Sequence, residues 1–281
     1  MKEFELHCGK YRLRLGKRTA VMGILNVTPD SFFDGGKHFT PDDALSRARY
    51  LAAAGADIID VGGESTRPGS LTISSDEEVK RIIPVISHLA QELNIPISVD
   101  TSKSIVAREA IKAGASLVND ITALCGDLSL GEVVAEYNLP LILMHMQGTP
   151  KNMQENPYYR SLVPEIISFF EEAIKKAKAI GIREENLLID PGIGFGKKTS
   201  HNLEIIKNLE KFAILEKPLV IGLSRKSFIG NVLNLPVEER LEASLAAMTC
   251  AILNGAHIVR VHDVGETVRA AGIVDAIMGS K

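Results

Sequence analysis

The 281-residue sequence contains three cysteines, Cys8, Cys125 and Cys250, and none belongs to a C-x-x-C pair. This scarcity argues against a disulfide framework or a zinc site and suits a protein of the reducing cytosol. No apolar run reaches the roughly 18 residues that a membrane-spanning helix needs. The opening MKEFELH has no apolar stretch, so we expect neither a secretory signal peptide nor a membrane partner.

Excess positive charge is also missing. The sequence has 32 Lys and Arg against 35 Asp and Glu, a net charge of −3, and a pI near 6.2. A protein without a global positive field is poorly suited to nucleic acid, so we expect no nucleic-acid partner. An anionic ligand would need donors gathered locally. Apolar residues make up 45% of the chain, which is enough for a full core.

Short runs rich in Val, Ile and Leu predict eight β-strands. They lie near residues 20–27, 57–62, 96–100, 117–121, 140–145, 187–190, 218–223 and 258–262. Helical patterns lie between many of them, including 42–54, 76–93 opened by Ser75, and two that stop at a glycine, 164–180 and 239–254. This alternation predicts a single (β/α)8 TIM barrel over residues 19–281, preceded by a β-hairpin within residues 1–18.

A doubly wound open sheet is the alternative fold. It usually has fewer strands and often a glycine-rich first turn. The first predicted barrel strand instead ends in NVTPD. No linker or low-complexity segment interrupts the chain.

Each of the eight predicted strands ends in residues that can bind a ligand or carry charge, and barrel active sites lie at those ends. An ordinary polar turn explains any one strand end better than a binding role does. It explains all eight poorly. The stretch GGESTRPGS, residues 62–70, carries far more chemistry than a turn requires.

These strand ends together resemble the dihydropteroate synthase family, with motifs in order over nearly the whole chain. The motifs are NVTPDSF (26–32), GGESTRPG (62–69), VDTSK (99–103), VNDI (118–121), HMQGTP (145–150), DPGIGFGK (190–197), SRKSFIG (224–230) and RVHD (260–263). One departure is Phe33, where many relatives have serine. The resemblance implies a cytoplasmic transferase of folate biosynthesis, the target of sulfonamides. Such an enzyme joins (7,8-dihydropterin-6-yl)methyl diphosphate to 4-aminobenzoate and releases diphosphate.

The resemblance implies a set of pterin-binding residues. Asp190 would accept hydrogen bonds from the pyrimidinone edge, although the same carboxylate could instead cap its own loop in an Asx-turn. Asn119 suits a heterocycle edge that both donates and accepts, and Met144 would form a soft wall, or simply fill the core. The full set is Asp100, Asn119, Met144, Asp190, Gly222 and Lys226.

A second set would hold the diphosphate. Arg260 and His262 are two apart on a strand, so both point to one face and can bind phosphate oxygens. The alternative for Arg260 is a salt bridge to Asp263 or Asp275. The resemblance adds Thr66, and it implies Mg²⁺ as cofactor, with Asn26 as metal ligand.

The 4-aminobenzoate site is implied to include Phe32, Thr66, Arg67, Pro68, Lys226 and Ser227. We interpret GGESTRPGS and the NVTPDSFFDGG segment as lids that close over this substrate, against the alternative of an ordinary Ω-loop with Arg67 in solvent. The catalytic residues would be Asp100, Lys226, Arg260 and His262. Asp100 would stabilise a pterin cation formed before the amine attacks.

Two other functions remain open from the sequence: a corrinoid-dependent methyltransferase on a related barrel, and a non-catalytic pterin-binding module. A methyltransferase needs neither an aminobenzoate lid nor a phosphate site. A binding module would not need Asp100, Lys226, Arg260 and His262 together. The family also implies a homodimer.

Overall fold

The computed structural model describes residues 1–28, 41–65 and 69–280. The strands are β1 (Phe4–Cys8), β2 (Tyr11–Leu15), β3 (Ala20–Asn26), β4 (Ile58–Gly62), β5 (Ile97–Asp100), β6 (Leu117–Asp120), β7 (Leu141–Met144), β8 (Leu187–Asp190), β9 (Val220–Gly222) and β10 (Ile258–Val261). The helices described are α1 (Pro41–Ala53), α2 (Ser75–Glu92), α3 (Ser104–Ala113), α4 (Ser129–Tyr137), α5 (Leu162–Ile180), α6 (Thr199–Lys207), α7 (Ser227–Leu233), α8 (Leu241–Leu253) and α9 (Val264–Gly279).

The eight strands β3 to β10 form one parallel sheet in the order β8-β7-β6-β5-β4-β3-β10-β9. A parallel bridge between Ile189 and Leu219 joins β8 to β9, and the Ile189 amide donates to the Pro218 carbonyl at 3.1 Å. The sheet therefore closes on itself, and the TIM-barrel prediction is confirmed. The strands agree with the predicted runs to within about two residues, the usual uncertainty at element ends.

The helix ends also follow the sequence closely. Gly181 and Gly255 both adopt positive φ, at 104° and 101°, where glycine carries no steric penalty. One prediction was wrong in detail. Ser74, not Ser75, caps α2, because its hydroxyl accepts from the Glu77 amide at 3.2 Å.

The antiparallel hairpin β1–β2 covers the N-terminal end of the barrel. Its buried residues Leu6, Cys8, Leu13 and Leu15 pack with the inward-facing residues of the barrel strands, which are Ala20, Met22, Ile58, Leu117, Ile142, Leu188, Val220 and Ile258. The barrel is therefore filled and closed at this end. The division of the chain at residues 18 and 19 stays a prediction.

A second core lies between the outer face of the barrel and the surrounding helices. It contains the alternate strand residues, such as Val21, Ile59 and Val118, together with helix residues such as Phe170. Because strand side chains alternate, the two cores fix which residues face the barrel axis. The inward face continues toward the C-terminal end through Asp60, Asp100, Asn119, Asp190 and Arg260.

Candidate active site

A hydrogen-bonded ionic cluster crosses the C-terminal half of the barrel. The Arg260 guanidinium donates from Nε to Asp60 Oδ2 and from Nη2 to Asp100 Oδ2, both at 2.6 Å. Asn119 Nδ2 donates to Asp60 Oδ2 at 3.1 Å. The sequence alternatives for Arg260 were wrong, because Asp263 pairs with Arg225 and Asp275 accepts from Thr19. Arg260 instead joins β10 to β4 and β5.

Burial sets the electrostatics of this cluster. The Asp60 side chain is fully buried and that of Asp100 is 9% exposed, whereas Arg260 is 20% exposed. Burial raises the pKa of Asp100 to about 7, Arg260 opposes that rise, and Asp60 adds to it. Burial is therefore the main cause of the raised Asp100 pKa, and the second carboxylate on the same guanidinium is a smaller one.

Asp60 was missed by the sequence reasoning. It stands within the run Asp57-Ile58-Ile59-Asp60-Val61, which was interpreted only as a buried strand. The available signal was a carboxylate at an inward position of an otherwise apolar strand. Its Oδ1 is buried and lacks a hydrogen-bond partner among the described residues, as does Ser98 Oγ on the neighbouring strand. Such groups are rare in native interiors and often mark functional sites.

Asp190 and Lys226 form the second charged part of the site. Asp190 Oδ1 accepts from the Gly192 amide at 2.7 Å, so the Asx-turn considered from the sequence does form. Burial raises the pKa of Asp190, while the charge of Lys226 opposes the rise. Burial lowers the pKa of Lys226 to about 8, and Asp190 opposes that change.

The Lys226 ammonium is held close to the Asp190 loop. It donates to the Ile193 carbonyl, and its Nζ lies 4.8 Å from the centroid of the Phe195 ring. A Cβ added at Gly222 would lie 3.7 Å from Lys226 Nζ and 3.9 Å from Arg260 Cβ. Gly222 therefore lies beside both Lys226 and Arg260, where a methyl group would touch each of them. Phe195 was not singled out from the sequence, although it lies within the DPGIGFGK motif.

The predicted pterin residues thus meet at one end of the barrel. Met144 pairs in register with Asp190, and Asp100 pairs with Asn119. All six predicted residues lie on β5 to β9 or directly after them. Their roles toward a ligand stay predictions.

The remaining predicted residues lie around this cluster. His262 follows β10, and its Nδ1 lies 3.1 Å from Ser224 Oγ. Asn26 ends β3 and pairs in register with Gly62, which is the sheet partner of Asp100. Ser227 is exposed at the start of α7. Phe32, Phe33, Thr66, Arg67 and Pro68 lie outside the described residues.

His145, directly after β7, and Lys197, in the loop after β8, form a buried pair. Lys197 Nζ lies 2.9 Å from His145 Nδ1 and donates to the His145 and Phe195 carbonyls at 3.3 and 3.0 Å. Burial lowers the pKa of both groups, that of His145 to about 2. The Lys197 amine is therefore engaged within the protein by His145 and Phe195.

In the described part of the chain, His, Cys, Asp and Glu side chains form no group of three that could hold a metal ion. Asn26 offers a neutral amide oxygen at the strand ends. Mg²⁺ commonly keeps several waters and binds mainly through substrate phosphates, so one protein oxygen is compatible with it. Within the described residues, no helix has both the length and the apolarity needed to cross a membrane.

The fold and this polar barrel end define a class of protein. A family profile described as "Pterin binding enzyme" matches residues 22–262, from β3 to the residue after β10. The chain therefore belongs to the pterin-binding enzyme family.

Individual relatives narrow this class. Dihydropteroate synthase of Escherichia coli strain K12 is 51% identical over 261 residues, covering 93% of this chain and 92% of that protein. A Yersinia pestis dihydropteroate synthase in a sulfonamide drug complex superposes with a TM-score of 0.94 at 47% identity, covering 99% of this chain and 100% of that one.

A Xanthomonas albilineans dihydropteroate synthase with 4-aminobenzoic acid gives a TM-score of 0.93 at 42% identity, with full coverage of both chains. Within the pterin-binding enzymes, the chain thus belongs to the dihydropteroate synthases, which are transferases. The methyltransferase and the non-catalytic binding module considered from the sequence are set aside.

Proposed function

We propose that this chain condenses (7,8-dihydropterin-6-yl)methyl diphosphate with 4-aminobenzoate, giving 7,8-dihydropteroate and diphosphate in folate biosynthesis. The observation that carries the proposal is the polar end of the barrel. There the Arg260–Asp60–Asp100–Asn119 cluster adjoins Asp190 and Lys226. The 51% identity to the dihydropteroate synthase of Escherichia coli strain K12 supports the same reaction.

The pterin would bind between β5 and β9. The ionised carboxylate of Asp190 accepts from the amino group and ring N–H of the pterin, while the amide of Asn119 suits the mixed edge. The Lys226 ammonium donates to the pterin carbonyl or a ring nitrogen, and Met144 packs against the ring. Because Gly222 has no side chain, its backbone can approach the flat heterocycle closely.

The chemical step would be ionisation of the pterin substrate. The bond between the methylene carbon and the diphosphate oxygen breaks, and its electron pair leaves with diphosphate. Asp100 stabilises the delocalised cation as it forms. The neutral amine of 4-aminobenzoate then forms the new carbon–nitrogen bond and loses its surplus proton to solvent, so no dedicated general base is needed.

Arg260 and His262 would hold the departing diphosphate, together with Thr66. The bonds from Arg260 to Asp60 and Asp100 come from Nε and Nη2, so Nη1 makes no hydrogen bond within the described chain. Asn26 would hold Mg²⁺ with the diphosphate, where the ion supplies stabilisation of the leaving group's charge.

The 4-aminobenzoate would bind above the pterin, against Lys226 and Ser227. Phe32, Thr66, Arg67 and Pro68 would complete this half, and closure of their segments would hold the amine in attack geometry and exclude water. In this proposal, Arg67→Ala raises the KM for aminobenzoate or lowers kcat. A variant with both constants unchanged would contradict the lid role.

A homodimer and a cytoplasmic location are parts of the same proposal. Apolar side chains are exposed on the last three helices, at Val232, Leu233, Leu253, Ile273, Ile277 and Met278. Ile273 and Ile277 are one turn apart on α9, and a second copy would bury such an apolar face. Sedimentation equilibrium would measure the mass, and a monomer at micromolar concentration would contradict the dimer.

The decisive experiment measures diphosphate release from the dihydropterin diphosphate with Mg²⁺, with and without 4-aminobenzoate. We expect release coupled to dihydropteroate formation, plus slow release and pterin carbinol without the amine. Strict dependence of C–O cleavage on the amine would contradict ionisation first. Tight pterin binding with no release under either condition would contradict the synthase.

A pterin-binding control is available in Asp190→Ala. Loss of a hydrogen bond to a charged group costs about 1.5–3 kcal/mol, so pterin affinity should fall by about one to two orders of magnitude. Normal affinity would contradict the pterin role of Asp190.

A further inference from the structure

Lys103 ends the VDTSK motif just after β5, has no role in the site described above, and has all its donors engaged. Its Nζ donates to Glu64 Oε2, to Glu78 Oε2 at 2.7 Å and to the Ile73 carbonyl at 2.8 Å. An ammonium has three donors, so each has a protein acceptor. Burial would lower the pKa of Lys103, but the hydrogen bonds to Glu64 and Glu78 raise it, so the group stays charged.

These three acceptors come from the two ends of one segment. Glu64 follows the end of β4, whereas Ile73 and Glu78 lie at the entrance to α2. The ammonium therefore joins the start of the segment to its finish. The Glu78 side chain is 1% exposed, so one end of this link is anchored in the interior.

Other contacts hold the two ends of the same segment in place. A Cβ at Gly63 would lie 2.7 Å from Ile82 Cγ2 and 3.0 Å from Glu78 Cγ, so the backbone there is packed directly on α2. The Gly63 carbonyl accepts from Arg81 Nη1 at 3.1 Å. The Ser70 hydroxyl donates to the Ser65 carbonyl at 2.5 Å, which ties together the described residues on either side of 66–68.

These contacts at the ends of the β4–α2 segment lie close to the active-site residue Asp100. Lys103 lies three residues after Asp100 on one chain segment, and Glu64 lies two residues after Gly62, which pairs with Asp100. The Lys103–Glu64 ion pair thus joins the residues that follow β4 to those that follow β5, just beyond the paired ends of the two strands. It restrains Glu64 relative to Asp100.

We propose that Lys103 is a positioning residue, which holds the start and finish of the β4–α2 segment so that 4-aminobenzoate meets the pterin in attack geometry. The proposal rests on the proposed function, because it assigns this segment to the aminobenzoate half of the site. Lys103 acts through Glu64 and Ile73 and does not touch substrate.

A structural role alone predicts a different result. Lys103 is the counter-ion of the buried Glu78, so Lys103→Met should lower stability in either case. A structural role leaves both KM values unchanged in the folded variant. A positioning role raises the KM for aminobenzoate and spares the pterin.

The test compares Glu64→Gln, Glu64→Ala and Lys103→Met by steady-state kinetics with each substrate varied, and by calorimetric titration of the pterin diphosphate alone. Glu64→Gln keeps an acceptor and leaves Lys103 paired with Glu78 and Ile73. A small displacement of a segment that positions a substrate can lower the reaction rate by up to about 100-fold. We therefore expect the KM for aminobenzoate to rise about tenfold in Glu64→Ala. The rise should be smaller in Glu64→Gln and larger in Lys103→Met. Pterin affinity should stay within about twofold.

Matched controls come from α3, where Lys112 and Glu109 form an exposed ion pair at 2.8 Å. Lys112→Met and Glu109→Ala should leave both KM values unchanged. If Lys103→Met does not fold, the two Glu64 variants decide the question. Equal rises in both KM values, or no rise in either, would overturn the inference while wild-type activity stands. A wild-type chain that forms no dihydropteroate would instead overturn the proposed function, and this inference with it.

Discussion

The two halves of the barrel interior are built from the same strands, and on each strand their residues lie two positions apart. The lower half holds apolar residues, and the upper half holds the residues two positions later, four of which are polar or charged. The pairs are Ile58 and Asp60, Leu117 and Asn119, Ile142 and Met144, Leu188 and Asp190, Val220 and Gly222, and Ile258 and Arg260. Because residues i and i+2 share a face, both halves point to the barrel axis.

The comparison shows how one fold separates stability from chemistry. The lower half is filled by side chains and covered by the hairpin, so it contributes apolar burial. The upper half buries charges at considerable cost and leaves Asp60 Oδ1 without a hydrogen-bond partner among the described residues. This division agrees with the general rule that barrel function lies at the C-terminal ends of strands.

The largest effect is expected from Arg260→Met in the upper half. Removing the guanidinium leaves Asp60 and Asp100 facing each other in a buried site, and breaking such an ion pair costs about 3–5 kcal/mol. We expect kcat/KM to fall about a thousandfold or more, along with a lower Tm. Arg269→Met is the control, because Arg269 pairs with Glu266 on an exposed helix face. A tenfold loss or less would contradict the central role of Arg260.

The next largest effect is expected from Asp100→Asn, which keeps the shape of the side chain and removes its charge. Loss of one preorganised electrostatic contact costs about 100- to 1,000-fold in kcat. In the wild type, kcat/KM should rise with pH through about 7, as Asp100 loses its proton, and fall above about 8, as Lys226 loses its own. The variant should lack the rise near 7. A pH profile of unchanged shape would contradict the assignment of that limb to Asp100.

A change in the lower half should lower the stability of the protein and leave its kinetic constants unchanged. Leu188→Ala removes a fully buried side chain two residues before Asp190 and should cost about 2–5 kcal/mol of unfolding free energy. Denaturant titration measures this loss. At a temperature well below the melting transition, kcat and both KM values should match the wild type. A selective change in pterin KM would show that the two halves are not separable.

The smallest effect on stability is expected from Gly222→Ala in the upper half. The added methyl would make ordinary contacts of 3.7 and 3.9 Å, so the fold should accept it. It would occupy space assigned to the pterin, and one methyl group in a pocket changes binding by about 1–3 kcal/mol, so pterin KM should rise about tenfold or more. Gly272→Ala, where an added Cβ meets nothing within 4 Å, is the matched control. An unchanged pterin KM would place the ligand elsewhere.

The sequence by itself determined the barrel, its strands and the residues at the strand ends. These are local properties: apolar runs, cap residues such as Gly181, and polar residues directly after each run are visible without knowing any contact. For Asp190 the sequence suggests two alternatives, a ligand role and an Asx-turn. The structure contains the Asx-turn.

Only the tertiary structure decided which charges meet. Arg260 lies 200 residues from Asp60 and 160 from Asp100 in the chain. No local pattern could choose those carboxylates over Asp263, its near neighbour. Closure of the barrel brings β10 beside β3 and across from β4 and β5, and burial then makes the loss of either partner costly. The Lys103 link between both ends of the β4–α2 segment arises in the same way, because ion pairs depend on distance through space and not along the chain.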